Sequence, residues 1–197
     1  GMRALNDNTT GYYNTAIGSC ALTTNTTGIK NTAVGYKALR GNTTGCHNVA
    51  SGMNSLGINT TGTNNTASGY LSLYANTTGN NNTASGYHVL KTNTTGNYNT
   101  AVGRGALCTT STASCNVAVG YGSLRFSTSG CGNTAVGMHS ADCNTTGCQL
   151  VAFGNNALRA NSTACYNTAI GDNTLRLNST GPRNTAVGSS SLYANTT

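Results

Sequence analysis

Residues 31–47 read NTAVGYKALRGNTTGCH and residues 82–98 read NTASGYHVLKTNTTGNY. A segment of this kind returns every 17 residues, with unit starts at Asn14, Asn31, Asn48, Asn65, Asn82, Asn99, Asn116, Asn133, Leu150, Asn167 and Asn184. Residues 1–13 supply the tail of a preceding unit, and the last unit stops at Thr197, its fourteenth position. No insertion breaks the register, so 1–197 reads as a single repeat array. With positions in the unit numbered 1 to 17, the consensus is NTAVGYxALxxNTTGxx. Position 3 is Ala in every copy from Ala16 to Ala186, and position 5 is Gly in every copy from Gly1 to Gly188. Position 9 is Leu except at Ala141, and position 15 is Gly except at Ala113 and Ala164. Identity down a column means one environment repeated: the Ala column marks a tight interior site and the Gly column a bend or a close backbone approach.

Helical repeats use longer units of about 33–47 residues, and a unit with two Gly and an NTT run makes a poor helix pair. The spacing therefore predicts an all-β fold, a parallel β-solenoid (β-roll or β-helix) of 17-residue coils. Positions 1–4 are expected to form one strand and positions 7–11 a second. NTTG turns the chain into the next coil, because Asn and Thr bond local backbone groups and Gly accepts positive φ. At about 4.7–4.9 Å per coil the stack makes a rod roughly 55 Å long.

Composition agrees with a thin architecture. Charged residues are 7% of the chain, Trp is absent and Phe occurs twice, too little bulk for one thick core. Three acids, Asp7, Asp142 and Asp172, face ten Lys and Arg, for a formal charge of +7. That excess permits contact with an anionic surface polysaccharide without specifying one, and points to no specific nucleic acid. No run is long and apolar enough for a membrane span. Since the array opens and closes in mid-repeat, it is expected to be part of a longer array or to stack end to end.

Eight cysteines favour an oxidising, extracellular setting. Cys143 and Cys148, at positions 11 and 16, bracket one NTTG turn, and Cys108 and Cys115, at positions 10 and 17, bracket the equivalent turn of another unit. Two pairs within a coil, Cys108–Cys115 and Cys143–Cys148, are natural. The competing scheme stacks Cys131, Cys148 and Cys165 at position 16 of consecutive coils, within disulfide reach. Cys20 and Cys46 have no evident partner in either scheme. The NTT and NST triplets are also glycosylation sequons, at Asn8, Asn25, Asn42, Asn59, Asn76, Asn93, Asn144, Asn161, Asn178 and Asn195. A stacked Asn ladder explains the same column without modification.

NTAVG, GYxAL and NTTG resemble the tandem-repeat regions of bacteriophage and bacterial tail-fibre-like proteins, and more distantly the head repeats of trimeric autotransporter adhesins. The resemblance covers the whole chain. It implies an extracellular, cell-surface or virion-surface fibre, usually homotrimeric, involved in attachment. The 17-residue unit is longer than typical autotransporter head units, and the cysteines are a further departure. Neighbouring positions 3 and 4 point to opposite faces of a strand. One face lines the coil and the other is free to line an interface with copies of the same chain.

No catalytic constellation, cofactor motif or zinc or calcium spacing is present, and the expectation is a structural protein, not an enzyme. His47, His88 and His139 read as solvent-facing, with no acid pair near. Position 10 carries Arg40, Lys91, Arg125, Arg159 and Arg176, either a stripe for anionic glycan or a solvated edge relieved by Asp142. Position 6 carries Tyr36, Tyr70, Tyr87 and Tyr121, with Met53 and Met138, either a sugar ladder or packing. Two alternatives to the fibre follow: a polysaccharide-binding module on the Tyr and Arg columns, and an ice-binding solenoid. The second is weakened because the Thr pair at positions 13 and 14 is adjacent and faces opposite ways.

Overall fold

The computed structural model describes residues 1–196. Eleven strands of three residues each, from β1 (Thr15–Ile17) to β11 (Thr185–Val187), form one parallel sheet in sequence order. Every strand pairs with the strand of the next unit in register, so that Ala50 lies on Ala67 and Ala67 on Ala84. The chain is a parallel β-solenoid whose coils (coil 1 begins at Asn14, coil 11 at Asn184) each contribute one strand at positions 2–4.

The second expected strand is not there. Positions 6–11 are a succession of tight turns, because the backbone is left-handed at position 7 and again at position 9, where φ is 51° at Leu22, 49° at Leu39 and 48° at Leu56. Leu does not favour that region, which costs about 1–2 kcal/mol per residue. Burial offsets it: Leu22, Leu39 and Leu56 are fully buried against the position-3 and position-8 residues, and such burial contributes about 1.5–3 kcal/mol. Position 17 is left-handed as well, from Tyr13 to Arg183. Each coil thus turns at fixed points and keeps only a short strand.

The invariant Gly has two independent reasons. Its φ lies between 113° and 140° in coils 1 to 11, where side chains are strained. A Cβ on Gly52 would also sit 2.6 Å from the carbonyl oxygen of Gly69 in the next coil. The invariant Ala has one: from Ala33 to Ala169 it is fully buried between the sheet and the Leu column.

Apolar side chains fill only part of the interior. At position 12 the amide of Asn42 donates to Asn25 Oδ1 (2.8 Å) in the preceding coil and to the carbonyl of its own Gly45 (2.9 Å). At position 1 the Asn31 amide reaches across the coil to that same Gly45 carbonyl (2.8 Å), and its backbone N–H donates to Asn14 Oδ1 (2.9 Å). Outside, the NTTG turn closes on the next coil. The N–H groups of Thr26, Thr27 and Gly28 converge on the Thr43 carbonyl, joined by the Thr26 hydroxyl at 3.0 Å. Three successive N–H groups folded round one oxygen form the concavity that turn backbones offer to anions, occupied here by the next coil.

Thr110 and Ser127 interrupt the position-12 ladder in coils 6 and 7, leaving Asn93 Oδ1 and Ser127 Oγ buried without a partner. Each orphaned group costs about 1–3 kcal/mol. The double variant Thr110→Asn, Ser127→Asn is expected to stabilise the rod by about 2 kcal/mol, read as a higher midpoint in thermal unfolding by circular dichroism. A lower midpoint would show that these coils cannot accept the larger amide.

Candidate functional site

Three surfaces merit attention, and the coil geometry sets each. On the strand, position 3 faces inward and positions 2 and 4 face outward together. Position 2 is Thr or Val throughout, and position 4 is Val, Ile or Phe except at Ser51, Ser68 and Ser85. The result is an uncharged stripe running the length of the sheet, with Ile17, Val49, Val102, Phe153 and Ile170 all well exposed. The Thr of positions 13 and 14 make no second such face, since the position-13 hydroxyl is spent on the next coil's carbonyl.

The cysteines arrange themselves along the axis. At position 16 the backbone N–H has no backbone acceptor. The side chain of the next coil serves instead: Thr63 N–H donates to Asn80 Oδ1 (2.8 Å), Asn80 N–H to Asn97 Oδ1 (2.8 Å) and Asn97 N–H to Ser114 Oγ (3.0 Å). Cysteine takes the same role, with Cys131 N–H on Cys148 Sγ (3.2 Å) and Cys148 N–H on Cys165 Sγ (3.1 Å). Pro182 is tolerated at this position, where no N–H is needed for the ladder. The position-16 thiol therefore points along the stack, and Cys131 Sγ lies 3.2 Å from Cys148 Sγ. All eight cysteines are free thiols, and the thiol–thiol contact formed is this axial one of the stacked scheme, not one between Cys108 and Cys115 or between Cys143 and Cys148. Cys46 accepts from Ile29 N–H in the same ladder, while the Cys20 thiol, at position 7, accepts from the Ser19 hydroxyl.

Glycan attachment meets a steric obstacle at the sequons. Asn25, Asn42, Asn59, Asn76, Asn93, Asn144, Asn161 and Asn178 are fully buried, with the amide nitrogen engaged in the ladder or on the turn carbonyl. Asn8 and Asn195, at the two ends, are half-buried and their amides are bonded too. A sugar on any of these nitrogens displaces the bonds that close the coil.

The third surface lies over coils 5 to 8, residues 82–149. Arg104 occupies position 6 of coil 6, over the rings of Tyr87 (5.5 Å) and Tyr121 (5.7 Å). Position 7, a side chain in every other coil, is Gly105 and Gly122 in coils 6 and 7, and a cavity of about 160 Å³ opens there between Tyr87, His88, Tyr121 and Arg125. Asp142, almost fully buried, holds Arg125 through Nη2 (3.1 Å), with Nε at 3.0 Å as a charge contact, and accepts from or pairs with His139 Nδ1 at 3.0 Å. His47 is exposed as expected, whereas the other two are not solvent decoration: His139 is set by Asp142, and His88 stacks on Tyr87 at 3.9 Å. Tyr70 and Tyr87 stack at 5.4 Å, so part of the tyrosine column packs on itself. The arginine stripe at position 10 is not uniform either, since Arg125 is paired with Asp142 and Arg176 with the Tyr193 hydroxyl. Among the described residues no three His, Cys, Asp or Glu side chains converge as metal ligands would, and no helix is long and apolar enough to cross a membrane.

Two titrations are readable from this geometry. Burial, then the charges of Lys91 and Arg104, hold His88 below the ordinary imidazole range. The folded rod then binds fewer protons than the unfolded chain on the acid side, so its stability falls as pH drops through and below that range. Thermal midpoints between pH 7 and 5 should fall more steeply for the parent than for His88→Asn; equal slopes would assign the loss to other groups. Burial, foremost, also pushes the Cys148 thiol up. Oxidation by glutathione disulfide is expected to be faster at alkaline pH and to yield Cys131–Cys148 first, seen by peptide mapping with mass spectrometry. A first product of Cys108–Cys115 would contradict the axial arrangement.

Comparison of the chain with protein-family models, with curated proteins and with solved structures finds no match, so a functional reading rests on the geometry.

Proposed function

We propose that this chain is the shaft of an extracellular or surface-borne fibre, associating with copies of itself through the outward stripe of strand positions 2 and 4 and serving attachment. The observation that carries the reading is the stripe itself: an uncharged strip along all eleven strands, hydroxyl-bearing at its Thr and Ser positions and apolar elsewhere, with exposed Val102, Phe153 and Ile170. Exposed apolar patches of this kind mark an association site. The partner must present groups at the same axial interval as the coils, and a second copy of the chain does so at every level. A strip only three residues wide suits three rods meeting about a common axis, each covering the others. The low charge of the chain and its resemblance to tail-fibre repeats support the same reading, and the exterior location follows from it as part of the proposal.

Light scattering coupled to size exclusion should give three times the 19.9 kDa chain mass, and electron microscopy should show rods. Val102→Asp with Ile170→Asp is expected to yield a folded monomer, because both side chains are exposed in the single coil stack while like charges meeting at a shared axis repel at close range. A parent protein that stays monomeric at high concentration would end the proposal.

One observation favours a second occupant of the same stripe. Position 2 is Thr in eight coils, two residues from position 4, so regularly spaced hydroxyls and methyls do share a flat face, unlike those of positions 13 and 14. Ice is the alternative ligand, and a monomer with thermal hysteresis would select it over the fibre.

A further inference from the structure

We infer that the notch over coils 5 to 8 is a binding site for a single acidic pyranose, a sugar ring carrying one carboxylate. The inference is independent of the fibre reading, since the notch lies at positions 6, 7 and 10, away from the outward face of the strand.

The repeat is a built-in control for each side chain. Arg at position 6, Gly at position 7, Ala at position 9 and a buried acid at position 10 occur only in coils 6 to 8; Arg104, Gly105 and Gly122 line the notch and Asp142 holds Arg125 at its edge. Gly122 has a packing reason: a Cβ there would lie 3.0 Å from His139 Nδ1, so the glycine lets His139 and Asp142 settle over coil 7. Gly105 has none. A Cβ on it would meet nothing within 4 Å, and its φ of 69° is close to that carried by Asn54, Lys37 and His139 at the same position of other coils. Neither space nor backbone demands glycine, and what its small size achieves is an open cavity. Its volume, about 160 Å³, is below the range of drug-sized pockets and suits one ring.

The lining states the ligand's charge and shape. Arg104 is fixed between two tyrosine rings before any ligand arrives, and Arg125 is held by Asp142. Planar guanidinium groups match carboxylates with paired N–H donors. Lys91 adds a charge close enough to act on His88; against Arg104, Arg125 and Lys91 stands the single Asp142, so the site keeps an excess of positive charge. His88 Nε2 is buried with no partner in the protein, a polar atom left for a ligand hydroxyl or its water. Tyr87 and Tyr121, with Arg104 over their faces, line the notch with aromatic carbon against which a sugar's C–H groups can pack. Burial pushes up the pKa of the Cys108 thiol in the lining.

Titration calorimetry of the parent protein with glucuronate, glucose and inorganic sulfate tests this. Glucuronate should bind with a dissociation constant of about 1 mM, the scale expected of so small a ligand, and at least tenfold tighter than either glucose or sulfate. Gly105→Asn puts into the notch the residue that position 7 carries at Asn54, Asn156 and Asn173. It should leave the circular dichroism spectrum and thermal midpoint unchanged and weaken glucuronate at least tenfold, as should Arg104→Ala. Sulfate binding as tightly as glucuronate would overturn the sugar, and glucuronate binding that Gly105→Asn leaves intact, or none in the parent, would overturn the site.

Discussion

Two buried amides converging on one carbonyl hold most of the coils shut, and the rest of the rod depends on that closure. Asn31 and Asn42 both donate to Gly45 O, from opposite sides of the coil interior, while their side-chain oxygens receive donors from the next coil. One pair of residues thereby sets the width of the coil and its spacing to the neighbour. A purely apolar interior of Ala and Leu would permit sliding, since hydrophobic contact is non-directional. Directed bonds in a dry interior do not, and an amide ladder whose side chains both donate and accept between coils fixes register as well as distance. The left-handed Leu column becomes tolerable for the same reason: the turn that strains it is held from inside by Asn and from outside by the three N–H groups of NTTG.

The fold was legible in the sequence where side-chain identity reports environment directly. The period, the interior Ala, the bending Gly and the NTTG turn follow from column composition, and the in-register pairing of Ala50, Ala67 and Ala84 is their structural expression. The expected strand at positions 7–11 was not legible, because Leu has no intrinsic preference for positive φ and its backbone state at position 9 is imposed by packing. The asparagine at position 1 escaped notice for a related reason. It was read as part of the strand, whereas its amide spans the coil to a carbonyl 14 residues on.

The cysteines show how a column alignment leaves side-chain direction open. Positions 11 and 16 flank the same turn, yet the position-16 side chain is turned along the axis to cap the preceding coil's N–H. Part of the signal was present in that column: beside Ile29 and Pro182 it holds Asn80, Asn97 and Ser114, whose side chains accept from the preceding coil's N–H. The notch carried a signal of another kind. His139 and Asp142, three residues apart, were read separately as decoration and as charge relief, but the concentration of departures in coils 6 to 8 marks them as one construction.

That concentration fits the physics of a one-dimensional array. Each coil contacts only its two neighbours, so a departure from consensus is felt locally and the intact coils on either side supply the lost cooperativity. Coils 6 and 7 give up the amide ladder at Thr110 and Ser127, and coil 8 gives up its Leu at Ala141, yet the sheet runs through them with unchanged register. A globular core would pass such losses to every element packed on it. Here the notch departures fall on three coils well inside the rod, with five coils before them and three after, and coil 9 carries its own changes at Leu150 and Ala164 without breaking the sheet. A repeat protein can carry a specialised site in its interior at little risk to its shaft, provided that the departures from consensus fall on consecutive coils.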